Sequence, residues 1–378
     1  MSSSLCNYFW RDHSVVAPYR TAVSLHSHTQ HSEESLGFIP RYSLKIPLLR
    51  GLVQKQERRF LEVHGKALDF NDAWWTPPLS PREAYDLERT QIETDLGLRA
   101  FVSLSDHDNI EAPTHLHVLS ELSEVPISVE WTVPFGPSFF HLGIHNLPAA
   151  NAQSTMRVFE DYTAKPEESK LADILAALAE FPSVLVVLNH PMWDEPGIGA
   201  EAHRSLLNRF TVAYRPWLHA LELNGLRSWK ENAEVTTYAT HVGIPLISGG
   251  DRHGCEPNAN VNLTNAESFD EFVYEVRNEQ RSHVLFLNQF REPVRLRLMQ
   301  GVLDVVRDYP ELSVGRRRWT DRVFFRNCDG NVNALSALWE GDGPSVVQWF
   351  MVAVRLLESP RLRGALRIAL AERQEGVT

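Results

Sequence analysis

The pair His26 and His28 stands one residue apart at the end of an apolar run, Ala22 to Leu25. The run has the length of a buried strand, and alternate residues of a strand point to the same face. The two imidazoles can therefore converge on one point, as two ligands of a metal ion do. A lone His-x-His is weak evidence, so the prediction depends on what stands at the other strand ends.

Further imidazoles and carboxylates stand at the ends of later apolar runs or in the loops just beyond them. They are Glu33, Asp106, His107, Asp108, Glu130, His141, His190, Glu222, Asp251 and His253. Neutral imidazole and carboxylate are ligands of Zn, Mn and Fe ions. Six histidines and three carboxylates exceed the needs of one ion, which predicts two or three ions bridged by carboxylates such as Glu130 and Asp251. Clustered cations lower the pKa of a shared water and bind the oxygens of a displacement at phosphorus.

Strands of a parallel sheet must position these side chains, because functional groups of such folds gather at the C-terminal strand ends. The predicted strands are Ala22–Leu25, Ala100–Leu104, Pro126–Val129, His141–Ile144, Val184–Leu188, Ala220–Leu223, Pro245–Ile247 and Val284–Leu287. Helical patterns separate several of them, over Ser80–Leu96, Lys170–Phe181, Glu231–Val242 and Ser268–Gln280. Ser80, Pro81 and Glu83 form an N-terminal capping pattern. Alternating strands and helices predict an α/β barrel or a doubly wound sheet.

Taken in order, these motifs resemble the polymerase-and-histidinol-phosphatase (PHP) family of metal-dependent phosphoesterases. The matching segments, between about residues 20 and 290, are Leu25–Thr29 with Ser32-Glu33, Ser105–Asp108, Val129-Glu130, His141–Gly143, Asn189–Pro191 and Gly249–Gly254. The resemblance implies a distorted (β/α)7 TIM-like barrel, with an insertion after the first strand, that holds two or three divalent metal ions (Mn, Zn or Fe). The ligands that it implies are His26, His28, Glu33, His107, Glu130, His141, His190, Asp251 and His253.

The chain departs from the usual pattern of the family at five positions. Ser24 and Glu33 each stand where the family usually has Asp. Asn189 replaces a common Ala, and Gly250 replaces a common Ser. Arg252 occupies a position that usually holds a small residue. None of these changes removes a type of ligand, but Ser24 alters the support of the histidines.

The reaction that the resemblance implies is hydrolysis of a phosphate monoester or diester by a metal-bridging hydroxide. The metals and a cationic side chain would neutralise the phosphoryl oxygens. Arg252 is the nearest candidate for that cation, since guanidinium binds phosphate oxygens bidentately. Its alternative role is a salt bridge to a neighbouring carboxylate. Asp108 or His31 could protonate the leaving group, although each could equally be a turn or surface residue.

Two other functions stay open at this level. An amidohydrolase-like barrel that cleaves C–N or C–O bonds also begins with His-x-His, but it commonly bridges two metals with a modified Lys at a strand end. This chain has six Lys residues, and none falls in a predicted strand. A non-catalytic, metal-binding PHP-like domain should have lost ligands, whereas every ligand position is filled here.

Two segments interrupt the alternation of strands and helices. Residues 36–79 form the insertion, and its Trp74-Trp75 pair either stacks on a nucleobase or sugar of the substrate or packs locally. Residues 291–378 are predicted as a helical C-terminal extension to a catalytic domain over residues 1–290. The basic run Arg316-Arg317-Arg318 is interpreted as a solvated face rather than a nucleic-acid contact.

Composition limits the class of protein. A chain of 378 residues with 43% hydrophobic and 22% charged residues predicts a soluble globular protein. A net charge of −11 argues against extended nucleic-acid binding, and a phosphorylated small molecule or short nucleotide is the expected partner. No stretch of about 18 apolar residues predicts a membrane span. Three widely spaced cysteines (Cys6, Cys255 and Cys328) and a start without signal-peptide character predict a cytoplasmic location.

Overall fold

The structure, a computed structural model, describes residues 3–37, 70–326, 329–339, 343, 345–356 and 359–370, with isolated residues between 50 and 65. Most of the predicted insertion, Cys328 and residues 371–378 lie outside the described residues. The chain divides into two compact units. Over the described residues, the first comprises those up to His31 and those of Leu79–Leu298, and the second comprises those within Ser32–Pro78 and Met299–Leu370.

The described strands and helices follow the predicted order, with ends that shift by a few residues and with additional elements. In chain order the strands are β1 (Ser3–Tyr8), β2 (Thr21–Leu25), β3 (Glu34–Ser35), β4 (Ala73–Trp75), β5 (Arg99–Ser103), β6 (Ile127–Phe135), β7 (Ser138–Leu147), β8 (Leu185–Leu188), β9 (Ala220–Asn224), β10 (Leu246–Gly249), β11 (Asn260–Thr264), β12 (Arg281–Phe286), β13 (Val323–Arg326) and β14 (Val332–Ala334). The α-helices are Pro81–Gln91, Glu111–Leu116, Ala149–Ala164, Glu168–Ala179, Ala200–Tyr214, Trp229–Val242, Phe269–Arg277, Val294–Val306, Leu335–Leu338, Ser345–Leu356 and Pro360–Ala369. Among the described residues, none of these helices combines the length and the hydropathy needed to cross a bilayer.

Two five-stranded sheets form the first unit, in the orders β1-β12-β11-β2-β5 and β10-β9-β8-β7-β6. Strand β2 pairs in parallel with β5, and β9 pairs in parallel with β8 and β10. Isolated backbone bridges join the sheets at two points, Ser27 with Arg252 and His107 with Glu130. The mixed α/β class is confirmed. The predicted (β/α)7 barrel is not confirmed, because strand pairing over the described residues does not close.

A hairpin connects two neighbouring strands of the second sheet. Strands β6 and β7 are antiparallel and are joined by Gly136-Pro137 alone, with no helix between them. A two-residue loop can join only antiparallel strands. Gly136 has a φ of 59°, in the left-handed region that tight hairpins need. At this connection the chain therefore departs from the strand–helix alternation of a (β/α)7 barrel.

Buried aromatic side chains anchor one sheet to its helices. Trp131 on β6 is fully buried, and its ring stacks on Phe159 of the helix Ala149–Ala164 with centroids 4.1 Å apart. Burying large aromatic side chains removes much apolar surface from water and contributes strongly to stability. The same helix contributes Met156 and Tyr162 to this core. Strand β6, which carries Glu130, is thus held by packing along its length.

The second unit contains a four-stranded sheet in the order β14-β13-β4-β3. The C-terminal region is therefore not purely helical as predicted, because β13 and β14 fall within it. Val323, Phe324 and Phe325 favour a strand, since β-branched and aromatic residues fit a pleated surface. Trp74 on β4 is buried, and its ring stacks on Phe324 with centroids 5.9 Å apart. The structure thus shows local packing for Trp74.

Candidate metal centre

Eight of the predicted ligands converge in the first unit. Most of them follow a strand end, whereas Glu130 and His141 lie within β6 and β7. The bridges between the sheets place the segment after β2 beside the segment after β10, and the segment after β5 beside Glu130. The converging residues are His26, His28, His107, Glu130, His141, His190, Asp251 and His253.

Glu130 lies among the histidines, fully buried. Its Oε2 atom lies 2.9 Å from Nε2 of His26, 3.3 Å from Nε2 of His28 and 3.3 Å from Nδ1 of His107. One carboxylate oxygen is therefore within reach of three imidazole nitrogens that belong to two different strand ends.

The second oxygen of Glu130 faces two further histidines. Its Oε1 atom lies 3.1 Å from Nε2 of His190 and 3.5 Å from Nδ1 of His141. Asn189, the residue at which the chain departs from the PHP pattern, donates from Nδ2 to the same oxygen at 2.9 Å. This departure therefore adds a hydrogen bond that orients the carboxylate.

Asp251 is the second carboxylate of the cluster. Its Oδ1 atom lies 3.7 Å from Nε2 of His26 and 3.6 Å from Nε2 of His28. His253 places Nδ1 2.8 Å from the main-chain oxygen of Asp251 and stacks its ring on His28, with centroids 4.2 Å apart. With Nδ1 donating to that oxygen, Nε2 is the nitrogen of His253 that could serve as a metal ligand.

The arrangement around His26 fits a divalent metal ion. Nε2 of His26 and Oε2 of Glu130 are buried, and neither has a hydrogen-bond partner among the described residues. On the other side of the ring, Nδ1 of His26 donates to Oε1 of Glu222 at 2.5 Å. A carboxylate that holds the second nitrogen of a histidine is the usual support of a metal ligand.

Among the described residues of the first unit alone, two groups of ligand atoms are compact enough to hold an ion each. They are His26, His28 and Glu130, and His107, Glu130 and His141, with all ligand atoms of a group within 4.8 Å of one another. Both groups include Glu130. Imidazole nitrogen with carboxylate oxygen is a donor set for Zn, Mn or Fe.

Neighbouring charges in the cluster shift the pKa of Glu130 downward and that of His26 upward. Burial opposes ionisation of Glu130, but His26, His107 and His141 outweigh it and hold the pKa of the carboxyl well below its usual range. Burial likewise lowers the pKa of His26, yet Glu130 and Glu222 reverse the effect and hold that pKa well above the usual value. Burial and the neighbouring imidazoles keep the pKa of His141 well below its usual value. Without a metal ion these directions favour an ionised Glu130, a protonated His26 and a neutral His141, and an ion at Nε2 of His26 would take the place of that proton.

Strained backbone marks the same strand ends. His26, Asp108, His190 and Asp251 have φ values of 62°, 48°, 27° and 57°. Non-glycine residues rarely adopt this left-handed region, and such strain is concentrated at functional sites. The chain turns sharply where it presents these ligands.

Two glycines allow close approach behind the ligands. A Cβ on Gly249 would lie 1.6 Å from Oε1 of Glu222, and one on Gly250 would lie 1.7 Å from the side chain of Asn258. Both distances are far below van der Waals contact. The Gly-Gly pair before Asp251 therefore makes room for the side chains that support the centre.

Arg252 does not face the centre as a free cation. Its side chain is buried, and Nε donates to Oε1 of Glu88 at 2.7 Å. Nη1 donates to the main-chain oxygen of Gly254 at 2.7 Å, and Nη2 to that of His28 at 3.0 Å. The structure thus gives Arg252 the salt bridge that was its alternative role, with one acceptor for each guanidinium nitrogen, and phosphate binding by Arg252 stays a prediction.

The two candidates for the acid have local contacts of their own. Asp108 follows β5, and its Oδ1 accepts the N–H of Thr132 at 2.8 Å, which ties the strand end to β6. His31 lies with Nδ1 2.8 Å from Oε2 of Glu111. Both contacts match the turn and surface roles left open from the sequence, and an acid role for either residue stays a prediction.

Glu33 belongs to the second unit, whereas the eight converging residues belong to the first. Its side chain is exposed, whereas that of the adjacent Glu34 is buried and accepts from Ser32 at 2.6 Å. Burial raises the pKa of Glu33, while Arg326 lowers it. The ligand role of Glu33 stays a prediction.

Sequence reasoning missed two residues beside the cluster. Glu195 lies with Oε2 3.9 Å from Nδ1 of His141, and burial raises its pKa. Arg227 places its guanidinium 3.6 Å from the ring centroid of Trp193 and Nη2 3.4 Å from Oδ2 of Asp251. Both lie three or more residues beyond a strand end, so only the position of these loops after β8 and β9 could have indicated them.

Comparison with known proteins finds only distant likeness. No family model matches this chain, and no curated protein matches it. Three similar solved structures are an amidohydrolase from Chromobacterium violaceum with bound sulfate and no metal (14% identity, 48% of this chain and 84% of that chain, TM-score 0.34), PsfC from Pseudomonas syringae (14%, 58% and 88%, TM-score 0.40), and a two-domain protein from Bacteroides vulgatus that contains a predicted PHP-like metal-dependent phosphoesterase (16%, 56% and 61%, TM-score 0.38). These TM-scores are too low to assign a function, which must come from the geometry of the centre.

Proposed function

We propose that this protein is a metal-dependent hydrolase of phosphate esters that acts at the centre around Glu130. The observation that carries the proposal is the buried contact between Nε2 of His26 and Oε2 of Glu130, 2.9 Å apart and without hydrogen-bond partners among the described residues. Two such acceptor atoms facing each other require a shared cation or proton. The six histidines and two carboxylates that converge there supply enough ligands for two or three ions.

The ligand sets follow from the two compact groups. His26, His28 and Glu130 would hold one ion, and His107, Glu130 and His141 a second. Further ligands for these ions or for a third are His190, Asp251 and His253. We infer Mn, Zn or Fe, because mixed imidazole and carboxylate donors accept these metals. When bound, such ions lower the pKa of water and offset the charge that develops on phosphoryl oxygens.

Glu222 holds two of the predicted ligands, His26 and His190, through hydrogen bonds. Its Oε1 accepts from Nδ1 of His26, and its Oε2 accepts the main-chain N–H of His190 at 2.8 Å. Asn224 donates to Glu222 at 2.9 Å and to Asp251 at 3.2 Å. One hydrogen-bonded group therefore orients three of the ligands.

Arg227 takes the cationic role that the sequence assigned to Arg252. Its guanidinium lies over the face of Trp193, a position that stabilises a cation, and its Nη2 contacts Asp251. Guanidinium binds phosphate oxygens bidentately, so Arg227 is placed to bind the phosphoryl group of a substrate at the centre. Glu195, near His141, is the carboxyl group best placed to protonate the leaving oxygen.

The substrate class proposed is a phosphate monoester or diester of a nucleotide, sugar or other small metabolite. We also infer that the two sheets form an interrupted PHP-type barrel, since the backbone bridges between them lie at the ligand-bearing ends. For the amidohydrolase-like alternative, the expected modified lysine at a strand end has no counterpart among the described strands, none of which contains Lys.

The test is hydrolysis by protein of known metal content. Protein loaded with Mn²⁺, Zn²⁺ or Fe²⁺ is assayed with an aryl phosphate monoester, an aryl phosphate diester and a panel of phosphorylated metabolites. We expect turnover of at least one phosphate ester, lost in Glu130→Gln. Metal-loaded protein that cleaves an amide or a lactone but no phosphate ester would establish the alternative.

A further inference from the structure

A buried carboxylate lies behind the metal-binding strand ends. Glu88, on the helix that the Ser80 capping box begins, is fully buried. Its Oε1 accepts from Nε of Arg252 at 2.7 Å and from Ser27 at 3.2 Å. Its Oε2 accepts from the hydroxyl of Ser24 at 3.1 Å. The same oxygen accepts the main-chain N–H of Asn258 at 3.1 Å.

Arg252 connects Glu88 to the predicted ligand His28. Its Nη2 donates to the main-chain oxygen of His28 at 3.0 Å, while the N–H of His28 donates to the oxygen of Arg252 at 2.8 Å. Both main-chain groups of His28 are thus bonded to one residue. Arg252 itself stands between Asp251 and His253, so the Glu88–Arg252 ion pair is one side chain away from three ligands.

Two departures from the PHP pattern meet at this carboxylate. Ser24 stands where that family usually has an acid, and Arg252 where it usually has a small residue. In the structure both side chains bind Glu88. The chain therefore holds a carboxylate beside Ser24 after all, supplied by a helix, with Arg252 as its counter-ion.

A buried ion pair by itself contributes little net stability to a fold. The desolvation of both charges often exceeds their attraction, and well-packed apolar residues of similar size can be more stable. The ion pair instead fixes the relative orientation of its two side chains, because guanidinium and carboxylate hydrogen-bond in a narrow range of geometries. Here that geometry sets where the backbone of His28 lies relative to Asp251.

We propose that Glu88 and Arg252 are positioning residues, which set the affinity of the centre for metal by fixing the segments 26–28 and 251–253 relative to each other. This inference rests on the proposed metal centre. It makes the helix Pro81–Gln91, which carries no predicted ligand, part of the metal-binding machinery.

The experiment compares metal affinity with thermal stability in the full chain. The variants are Arg252→Lys, which keeps the charge but cannot reach three acceptors, and the double variant Glu88→Gln/Arg252→Gln, which leaves no unpaired buried charge. The control is Asp86→Asn, which breaks an exposed ion pair with Arg82 on the same helix. Titration calorimetry with Mn²⁺ and Zn²⁺ on folded protein measures Kd, and circular dichroism measures Tm with a chelator present.

We expect 10- to 100-fold weaker metal binding in Arg252→Lys and in the double variant, the range typical of residues that support metal ligands. Asp86→Asn should bind as the parent does. A folded variant with a lowered Tm and the parent's Kd would show a purely structural role and overturn the inference. If the double variant does not fold, the metal Kd of Arg252→Lys alone tests the inference. A parent that binds neither metal overturns the metal centre itself, so the two failures are distinguishable.

Discussion

Glu222 and Glu130 hold opposite sides of one imidazole: Nδ1 of His26 lies 2.5 Å from Glu222, and Nε2 lies 2.9 Å from Glu130. The proton therefore belongs on Nδ1, and Nε2 is the nitrogen that faces the cluster.

Replacing Glu222 by Ala should weaken metal binding 10- to 100-fold, because Nδ1 of His26 loses its acceptor and the ring loses its orientation. Competition with a chromophoric chelator measures the change. The matched control is Glu234→Ala on the exposed helix Trp229–Val242, where the ion pair with Arg204 is on the surface. Equal affinity in Glu222→Ala and the parent would contradict the role of Glu222.

Metal should raise the Tm of the parent and leave that of Glu130→Gln unchanged. A ligand that binds only the folded state stabilises it by about 2.7 kcal/mol at 100 times Kd. Glu130 belongs to both compact ligand groups, so its loss should remove this gain altogether. Differential scanning calorimetry with Mn²⁺, and then with chelator, measures the shift. A metal-dependent Tm in Glu130→Gln as large as in the parent would place the ions elsewhere.

Changing Arg227 to Met should lower kcat/KM about 100-fold, the scale on which loss of one charge-stabilising donor acts. Metal content should not change, because Arg227 contacts Asp251 through Oδ2 and not through the oxygen nearest the histidines. Steady-state kinetics beside elemental analysis separates the two effects. Arg227→Lys should restore part of the rate. Full activity in Arg227→Met would exclude the proposed contact with substrate.

Alanine at two glycines should have opposite effects on stability. Gly249→Ala should destabilise by at least about 1–3 kcal/mol, because the new Cβ would overlap Glu222. Gly301→Ala should stabilise by about 0.5–1 kcal/mol, since Gly301 lies in a helix with nothing within 4 Å of the added Cβ. Urea unfolding measures both. The interpretation of Gly249 fails if its variant matches the parent in stability and metal affinity.

The buried His145 should make the protein acid-sensitive. Burial, with a smaller contribution from His26, lowers the pKa of His145 to about 3, against an ordinary value of 6.5. Between these pH values the unfolded chain binds the additional proton, so the free energy of unfolding falls by about 1.4 kcal/mol per pH unit as the pH falls. Stability from this group is complete above about pH 6.5 and is lost toward pH 3.

Urea unfolding from pH 7 to pH 4, with chelator, tests the acid sensitivity. The His145→Asn variant should show a shallower slope than the parent. The exposed His115→Asn should keep the parent's slope. A slope in His145→Asn equal to that of the parent would assign the acid sensitivity to other groups.

Most ligands of the centre could be predicted from the sequence because they follow a strand end, although Glu130 and His141 lie within β6 and β7. Strand alternation predicted that His26 and His28 share a face, whereas β2 ends at Leu25 and His26 has a φ of 62°, so the two imidazoles converge through a turn. The pairing of Arg252 with Glu88 could not be predicted, since the partners are 164 residues apart and a helix supplies the acid. A local pattern shows that a cation is present but does not show which acceptors surround it.

In the fold as well, local patterns could be predicted from the sequence, whereas pairings between distant segments could not. The capping box at Ser80 and Glu83 is a local signal, and the helix begins as predicted. The pairing of β4 with β13 joins strands about 250 residues apart in the chain, with no local turn to indicate it. Glu195 and Arg227 were missed for a related reason, because they lie in loops whose path depends on tertiary contacts.

Because Glu130 belongs to both ligand groups, we expect the binding of one ion to affect the binding of the other. An ion held by His26 and His28 would fix one oxygen of Glu130 and, with it, the direction of the other oxygen toward His141. A second ion would then find the carboxylate already oriented, so we expect the two binding events to be thermodynamically linked. Titration with one metal should therefore deviate from two independent sites, and a chelator should remove the ions in a cooperative step.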